Sequence, residues 1–354
     1  MPDWRRATNC CIGWSEVGDS LVAVPAWLAD ALVVCGLAAE PDCRSIVGQP
    51  LTGGVSSDIW VAHLAGALVC VKRALPRLKV AAVWEAPIER SASEAAWLAR
   101  AERIDAQAVP PMLGYDPGTG AIVLGWLDPT AHPQWKAQLL EGHVDPSVAA
   151  ALGDRLGCFH AGMTAAADPS APADFDHLDL FDALRLEPYF GTTATVHPAL
   201  RNELRRLREW FSANAVVVVH GDVSPKNVLV GPHGPVLLDA ECACWGDPAF
   251  DPAFLLTHLL LKARHQPAMR ESLQMSADAF WSAYVAHVDW EDRVALEGRV
   301  AAYWPALVLA RVDGASPVEY LDLTVRDAVR ADVLDFVARP RSSRADLDPL
   351  WSTT

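Results

Sequence analysis

With 354 residues, 51% apolar and 21% charged, the chain is long enough for two ordinary domains and has the composition of a folded globular protein. A formal net charge of −15 and no run of Lys or Arg exclude a nucleic-acid partner, which would need clustered cations to release counterions. The longest apolar stretch, Leu21 to Ala39, is broken by Pro25 and Asp30, so no membrane span is expected. Arg5 and Arg6 meet Glu16 and Asp19 too soon for a signal peptide.

Residues 1–44 read as a helical lead-in, with a packed helix over Pro25–Leu37. From Ser45 the pattern becomes β-rich: Ser45–Pro50, Ile59–Leu64 and Ala67–Arg73. Leu51–Trp60 (LTGGVSSDIW) bridges the first two as a glycine-bearing turn. Gly53 and Gly54 carry no Cβ, so their backbone amides, with Ser56 beside them, can approach a phosphate. Lys72 lies in the otherwise apolar VCVKRA, where an ammonium needs a partner because desolvating it alone is costly. A helix follows over Ser91–Ile104, then apolar segments at Met112–Tyr115 and Ala121–Trp126.

After Asp128 the chain turns to helices joined by Pro-rich loops. Leu152, Leu156, Phe159 and Met163 mark one amphipathic helix; Leu200, Leu204, Leu207 and Phe211 mark another. One β interruption breaks this half. Val216–Val219 leads into HGDVSPKN (His220–Asn227), and Val228–Val230 with Val236–Leu238 read as a hairpin around Gly231–Pro235. Helices resume at Ala249–Ala263, Ala277–His287, Glu291–Val312, with Pro305 as a kink, and Thr324–Ala338.

Phosphoryl transfer needs phosphates held in place, metal on their oxygens and a carboxylate that orients the attacking hydroxyl. Asp222 follows a buried strand, Asn227 enters the next one, and Asp239 ends the partner strand in LLDAE. An Asn and an Asp as oxygen ligands suit Mg²⁺. The alternative is an ordinary turn in which Asp222 caps a backbone amide. The eight cysteines (Cys10, Cys11, Cys35, Cys43, Cys70, Cys158, Cys242, Cys244) contain no CxxC pair. They fit neither a zinc ribbon nor a disulfide scaffold, so a reducing cytoplasm is expected.

HGDVSPKN followed by LLDAE resembles the catalytic and metal-binding motifs of the aminoglycoside phosphotransferase and choline kinase superfamily. The resemblance covers about Ser45 to Val337. It implies an α+β, protein-kinase-like, two-lobed fold: a nucleotide-binding lobe over 45–124 with one main helix, and a larger helical lobe over 125–354. It implies Asp222 as catalytic base, Asn227 and Asp239 as Mg²⁺ ligands, and ATP as co-substrate with GTP as the alternative. Lys72 would bind the α- and β-phosphates, paired with Glu94 or, failing that, Glu89. A competing reading makes Ser91 and Glu94 a capping box. Leu124, Trp126 and Leu127 fall where the family's hinge meets adenine through its backbone, Trp126 itself reading as a core side chain. His220 and Asp251 (in GDPAFDPAF) would brace the catalytic loop. Ala310–Leu321 (ARVDGASPVEYL) is similar to a stretch in a bacterial subset of phosphotransferases.

The implied activity is transfer of the γ-phosphate to a hydroxyl of a small molecule. An aminoglycoside or other antibiotic is the favoured acceptor, which would make the enzyme one of antibiotic resistance. A metabolic kinase for a sugar, nucleoside or amino alcohol is the alternative. A methylthioribose kinase fits less well, because such kinases lack the asparagine present here as Asn227. A nucleotide-binding pseudokinase would have lost Lys72, Asp222, Asn227 or Asp239, and all four are present. Finally, Asp174, Asp176, Asp179, Asp182, Glu187, Asp289, Glu291 and Asp292 suggest a cationic acceptor, if some line its pocket rather than a solvated surface.

Overall fold

The computed structural model describes residues 21–43, 45–51, 57–75 and 87–352. The chain forms two compact units. One comprises the described residues of Met1–Gln134 together with Val228–Glu241; the other comprises those of Trp135–Asn227 and Cys242–Thr354. The fold is mixed: an antiparallel sheet in the N-terminal part and a mainly helical C-terminal part.

In the first unit six strands form one antiparallel sheet. These are β1 (Val22–Ala23), β2 (Val47–Pro50), β3 (Ser57–Leu64), β4 (Ala67–Ala74), β5 (Met112–Asp116) and β6 (Ala121–Gly125). Their order is β1-β2-β3-β4-β6-β5, so β4 is central, and Lys72 faces Ile59 on one side and Ile122 on the other. Side chains alternate across a strand. Val69 and Val71 therefore share one face, where with Ala121 and Val123 they pack on Leu28, Ala31 and Leu32 of the helix Ala26–Val34. Cys70 and Lys72 share the other, against the helix Arg90–Ile104, whose Ala95, Trp97, Leu98 and Ala101 are buried. The described part of the expected lead-in, residues 21–43, is thus part of the sheet's core: β1 pairs with β2, and the helix supplies Leu28, Ala31 and Leu32 to that core.

The hairpin of β8 (Val228–Gly231) and β9 (Gly234–Leu237) belongs to this first unit. The Leu237 N–H donates to Ala108 O at 2.8 Å and the Val230 N–H to Pro133 O at 2.9 Å. The second unit contains a separate two-stranded pairing, β7 (Val217–Val219) with β10 (Cys244–Gly246), a strand absent from the sequence expectation.

Around that pairing lie the helices Pro146–Gly162, Arg201–Ala213, Phe250–His265, Arg270–Ala286, Arg293–Asp313 and Leu323–Ala338. The expected helix at Ala277 starts seven residues earlier, at Arg270. Phe250–His265 is buried almost all round, as its apolar sequence FDPAFLLTHLLLKARH requires. Its Phe250 and Phe254 join Phe181 and Phe211, whose rings stack at 4.0 Å. A ten-residue π-helix, Asp182–Gly191, was also unforeseen; wide helical turns of this kind are rare and favour functional sites.

Candidate active site

Two groups of chemistry-bearing side chains stand out, one in each unit. In the first, Lys72 on β4 is buried, and its Nζ lies 2.9 Å from Glu94 Oε1 and 2.6 Å from Asp239 Oδ1. Glu94, one turn into the helix Arg90–Ile104, is equally buried and makes no capping contact. The ion pair therefore replaces the capping box, and Glu89 is exposed at the helix start. Burial by itself would lower the Lys72 pKa, but Asp239 and Glu94 outweigh it and raise it above the ordinary lysine value. Burial pushes the Glu94 carboxyl up to about 7, against the pull of Lys72.

Asp239, two residues past the end of β9, has φ of 69°, a left-handed conformation that Asp tolerates better than most residues. Glu241, in the same LLDAE segment, accepts from Arg90 Nε at 2.9 Å. Arg90 is fully buried and also donates to Leu75 O at 2.7 Å and Pro87 O at 2.8 Å. Among the described residues three carboxylates, Glu94, Asp239 and Glu241, thus gather beside Lys72 and Arg90, and carboxylate oxygens suit a hard divalent ion.

In the second unit, the loop after β7 carries Asp222, buried and held from several sides. Arg185 Nη2 and Lys226 Nζ each lie 2.9 Å from Asp222 Oδ2, and Asn227 Nδ2 donates to the same oxygen at 2.8 Å. Asn227 Nδ2 also donates to Asp222 O at 3.0 Å, which commits the amide nitrogen to the loop; the side-chain carbonyl oxygen is the atom that could ligate a metal.

The loop is braced from beneath. Asp251, in the first turn of Phe250–His265, accepts from the His220 N–H at 2.7 Å and the Gly221 N–H at 2.8 Å. His160 Nε2 lies 3.2 Å from the same carboxylate, and His160 Nδ1 lies 3.0 Å from the Tyr284 hydroxyl. The Asp222 N–H donates to His220 Nδ1 at 3.2 Å. Gly221 has φ of 76°, and a Cβ there would sit 2.8 Å from Phe181 and 2.9 Å from Cys242, so only glycine fits.

Of the other expected positions, Leu124 is on β6 while Trp126 and Leu127 follow it, all three buried. Gly53, Gly54 and Ser56 lie outside the described residues. Several participants were not read from the sequence. Lys226 stands inside HGDVSPKN, four residues after Asp222, where its spacing was a usable signal. Arg185 offered none: it sits in the π-helix and reaches the loop only through the fold, donating also to Gly221 O at 2.6 Å. Glu241 was within LLDAE, but its partner Arg90 is distant in sequence.

Most of the acidic residues proposed for a cationic pocket are otherwise engaged or face solvent. Asp182 and Glu187 pair with Arg208, Glu291 pairs with Arg299, and Asp292 caps the helix Arg293–Asp313 through the Ala295 N–H. Asp174, Asp176, Asp179 and Asp289 are exposed. Among the described residues no helix is long and apolar enough to cross a membrane.

Several known proteins are similar to this chain. A methylthioribose kinase of Erwinia tasmaniensis is 28% identical over 225 residues, covering 57% of this chain and 56% of that enzyme. One from Yersinia pseudotuberculosis is 23% identical over 285 residues, covering 71% and 70%. The chain thus spans little more than half of the first of these relatives. Among solved structures, an amicoumacin kinase with AMP-PNP and Ca²⁺ bound has a TM-score of 0.51 at 14% identity, over 84% of this chain and 90% of its own. A choline kinase of Cryptosporidium parvum has 0.51 at 12%, over 88% and 92%, a likeness of fold. The model of the phosphotransferase enzyme family matches residues 47–291, well over half of the chain, and the protein belongs to that family.

Proposed function

We propose that the protein is an ATP- and Mg²⁺-dependent kinase that phosphorylates a hydroxyl of a small molecule. The observation that carries this reading is Asp222: a buried carboxylate, fixed by Arg185, Lys226 and Asn227 on a loop whose backbone is clamped by Asp251. A carboxylate so held is fixed in position to orient an acceptor hydroxyl and take its proton. Lys72, kept protonated by Glu94 and Asp239, is suited to nucleotide phosphates.

In the first unit, Asp239 beside Glu94 and Glu241 supplies carboxylate oxygen that suits a divalent ion; in the second, the Asn227 side-chain carbonyl is the donor that the HGDVSPKN motif offers. When bound, that ion neutralises charge on the phosphate oxygens. The bracing role of His220 and Asp251 is a positioning one. Support for a metabolic acceptor rather than an aminoglycoside comes from the methylthioribose kinase relatives and from the engaged or exposed state of the acidic residues.

The test is ADP release from MgATP over a panel of sugars, nucleosides, hydroxy acids, amino alcohols and aminoglycosides. With an accepted substrate, Asp239→Ala should abolish magnesium-dependent nucleotide binding in calorimetric titration. Unchanged dependence on Mg²⁺ in that variant removes Asp239 as a ligand.

A further inference from the structure

The second unit holds a group of basic side chains that phosphoryl transfer leaves without a task. His258 and Lys262 stand four residues apart on one face of the helix Phe250–His265, 6% and 1% exposed. Lys262 Nζ lies 4.9 Å from the centre of the Tyr320 ring. Among the described residues it has no ion pair and no hydrogen bond. Three further polar atoms are buried and unsatisfied: His258 Nε2, the Tyr320 hydroxyl, and Nε of Arg311, whose Nη1 donates to the Ser316 hydroxyl at 2.8 Å.

The surrounding charge is almost all positive. His258 feels Arg311, Lys262, Lys226 and Lys136, and Lys262 feels Lys136 and Arg311. Among the described residues one carboxylate, Glu319, acts on Lys262, and it is already ion-paired with Lys136. This is a cationic enclave in a chain of net charge −15. Lys226 links it to the catalytic loop through its 2.9 Å contact with Asp222. An ammonium buried without a counter-charge is costly, and so is each unsatisfied donor around it. A bound oxyanion would supply the missing counter-charge to the Lys262 ammonium and an acceptor to donors beside it.

We propose that this enclave is the acceptor pocket, and that the acceptor carries an oxyanion, a carboxylate or a phosphate ester, bound by Lys262, Arg311 and the Tyr320 hydroxyl. The inference rests on the kinase reading for the word acceptor, while anion binding itself does not depend on it. It replaces the cationic acceptor expected from the acidic composition.

Two measurements separate the two ideas. In nucleotide-free protein, inorganic phosphate and, separately, acetate are titrated against chloride at matched ionic strength while Tm is followed. Wild type should be stabilised by one or both, and the anion that acts identifies the group. The Lys262→Met variant, which fills the buried site with an uncharged chain of similar length, should lose the response. ADP release is then compared across acceptors that share a hydroxylated skeleton but carry a carboxylate, a phosphate ester, no charge or an amine.

An anionic acceptor should be preferred, and Lys262→Met should raise its KM at least about tenfold with KM for ATP unchanged. Preference for a neutral or amine acceptor, absence of any anion effect on Tm, or a change confined to KM for ATP overturns the proposal. If phosphate or acetate protects the wild type and no acceptor releases ADP, the anion site stands and the kinase reading falls. If only neutral or amine acceptors are phosphorylated and neither anion protects, the kinase reading stands alone.

Discussion

Asp222 illustrates how much a single carboxylate can be constrained. Arg185 and Lys226 supply positive charge at 2.9 Å, and Asn227 donates to the same oxygen. Removing its charge while keeping its shape should leave ATP binding nearly intact. Asp222→Asn is therefore expected to lower kcat by roughly 10²–10⁴-fold, the range for loss of a general base, as read by steady-state kinetics beside calorimetric ATP titration. A near-normal kcat takes Asp222 out of the chemistry. Lys72 and Glu94 test a different point, since each is buried and each is the other's partner. Lys72→Ala and Glu94→Ala should both weaken ATP binding. The double variant should lose less than the sum, with a coupling of about 0.5–3 kcal/mol. Strict additivity would mean that the pair acts as two separate groups.

At the scale of elements, the decisive contact joins a helix start to a loop. Asp251 is fully buried in the first turn of Phe250–His265, a place where the helix favours negative charge, and it accepts the N–H groups of both His220 and Gly221. Asp251→Ala leaves two buried donors without that acceptor. The expected loss of stability is roughly 2–6 kcal/mol, at about 1–3 kcal/mol for each donor, measured by urea unfolding. A loss below about 1 kcal/mol would show that the loop keeps its shape without the brace. The π-helix Asp182–Gly191 acts on the same loop from another direction. Its Arg185 donates to Gly221 O while pairing with Asp222, so the loop's backbone and its carboxylate are fixed by one guanidinium.

Over the whole molecule, the acidic balance conceals an opposite local field. Burial, with Lys136 and Arg311 nearby, brings the Lys262 pKa down to about 7 from 10.5. Between those values the unfolded chain holds a proton that the folded chain has released, so this group's contribution makes stability rise with pH through the window. Below about 7 both states are protonated, and the cost of the buried charge is fully present. Lys262→Met removes that cost. Its gain in stability over wild type should be larger near about pH 6 than near about pH 9, as compared by thermal unfolding at fixed ionic strength. Equal gains at both would mean that Lys262 titrates as an ordinary lysine.

Much of this was legible in the sequence, because it is local. The β-branched runs and their alternation gave the strands near their true positions. HGDVSPKN and LLDAE singled out Asp222, Asn227 and Asp239 as candidates, since each motif is a short run of residues close in sequence. Lys72 and Glu94 could be paired because an ammonium on an apolar strand must find a carboxylate. What the sequence left open depends on partners far along the chain. The helix Ala26–Val34 resembles a lead-in until Leu28 and Leu32 are seen in the core of the sheet. Arg185 could have pointed anywhere. Lys262, in LLLKARH, would read the same whether its ammonium reached solvent or, as here, was buried beside Tyr320. Likewise, carboxylates counted together as an acidic face were divided by packing among Arg208, Arg299, a helix cap and solvent. Periodicity reports which face of an element is apolar, whereas the charges that meet across elements are chosen by packing, and only the tertiary structure decides them.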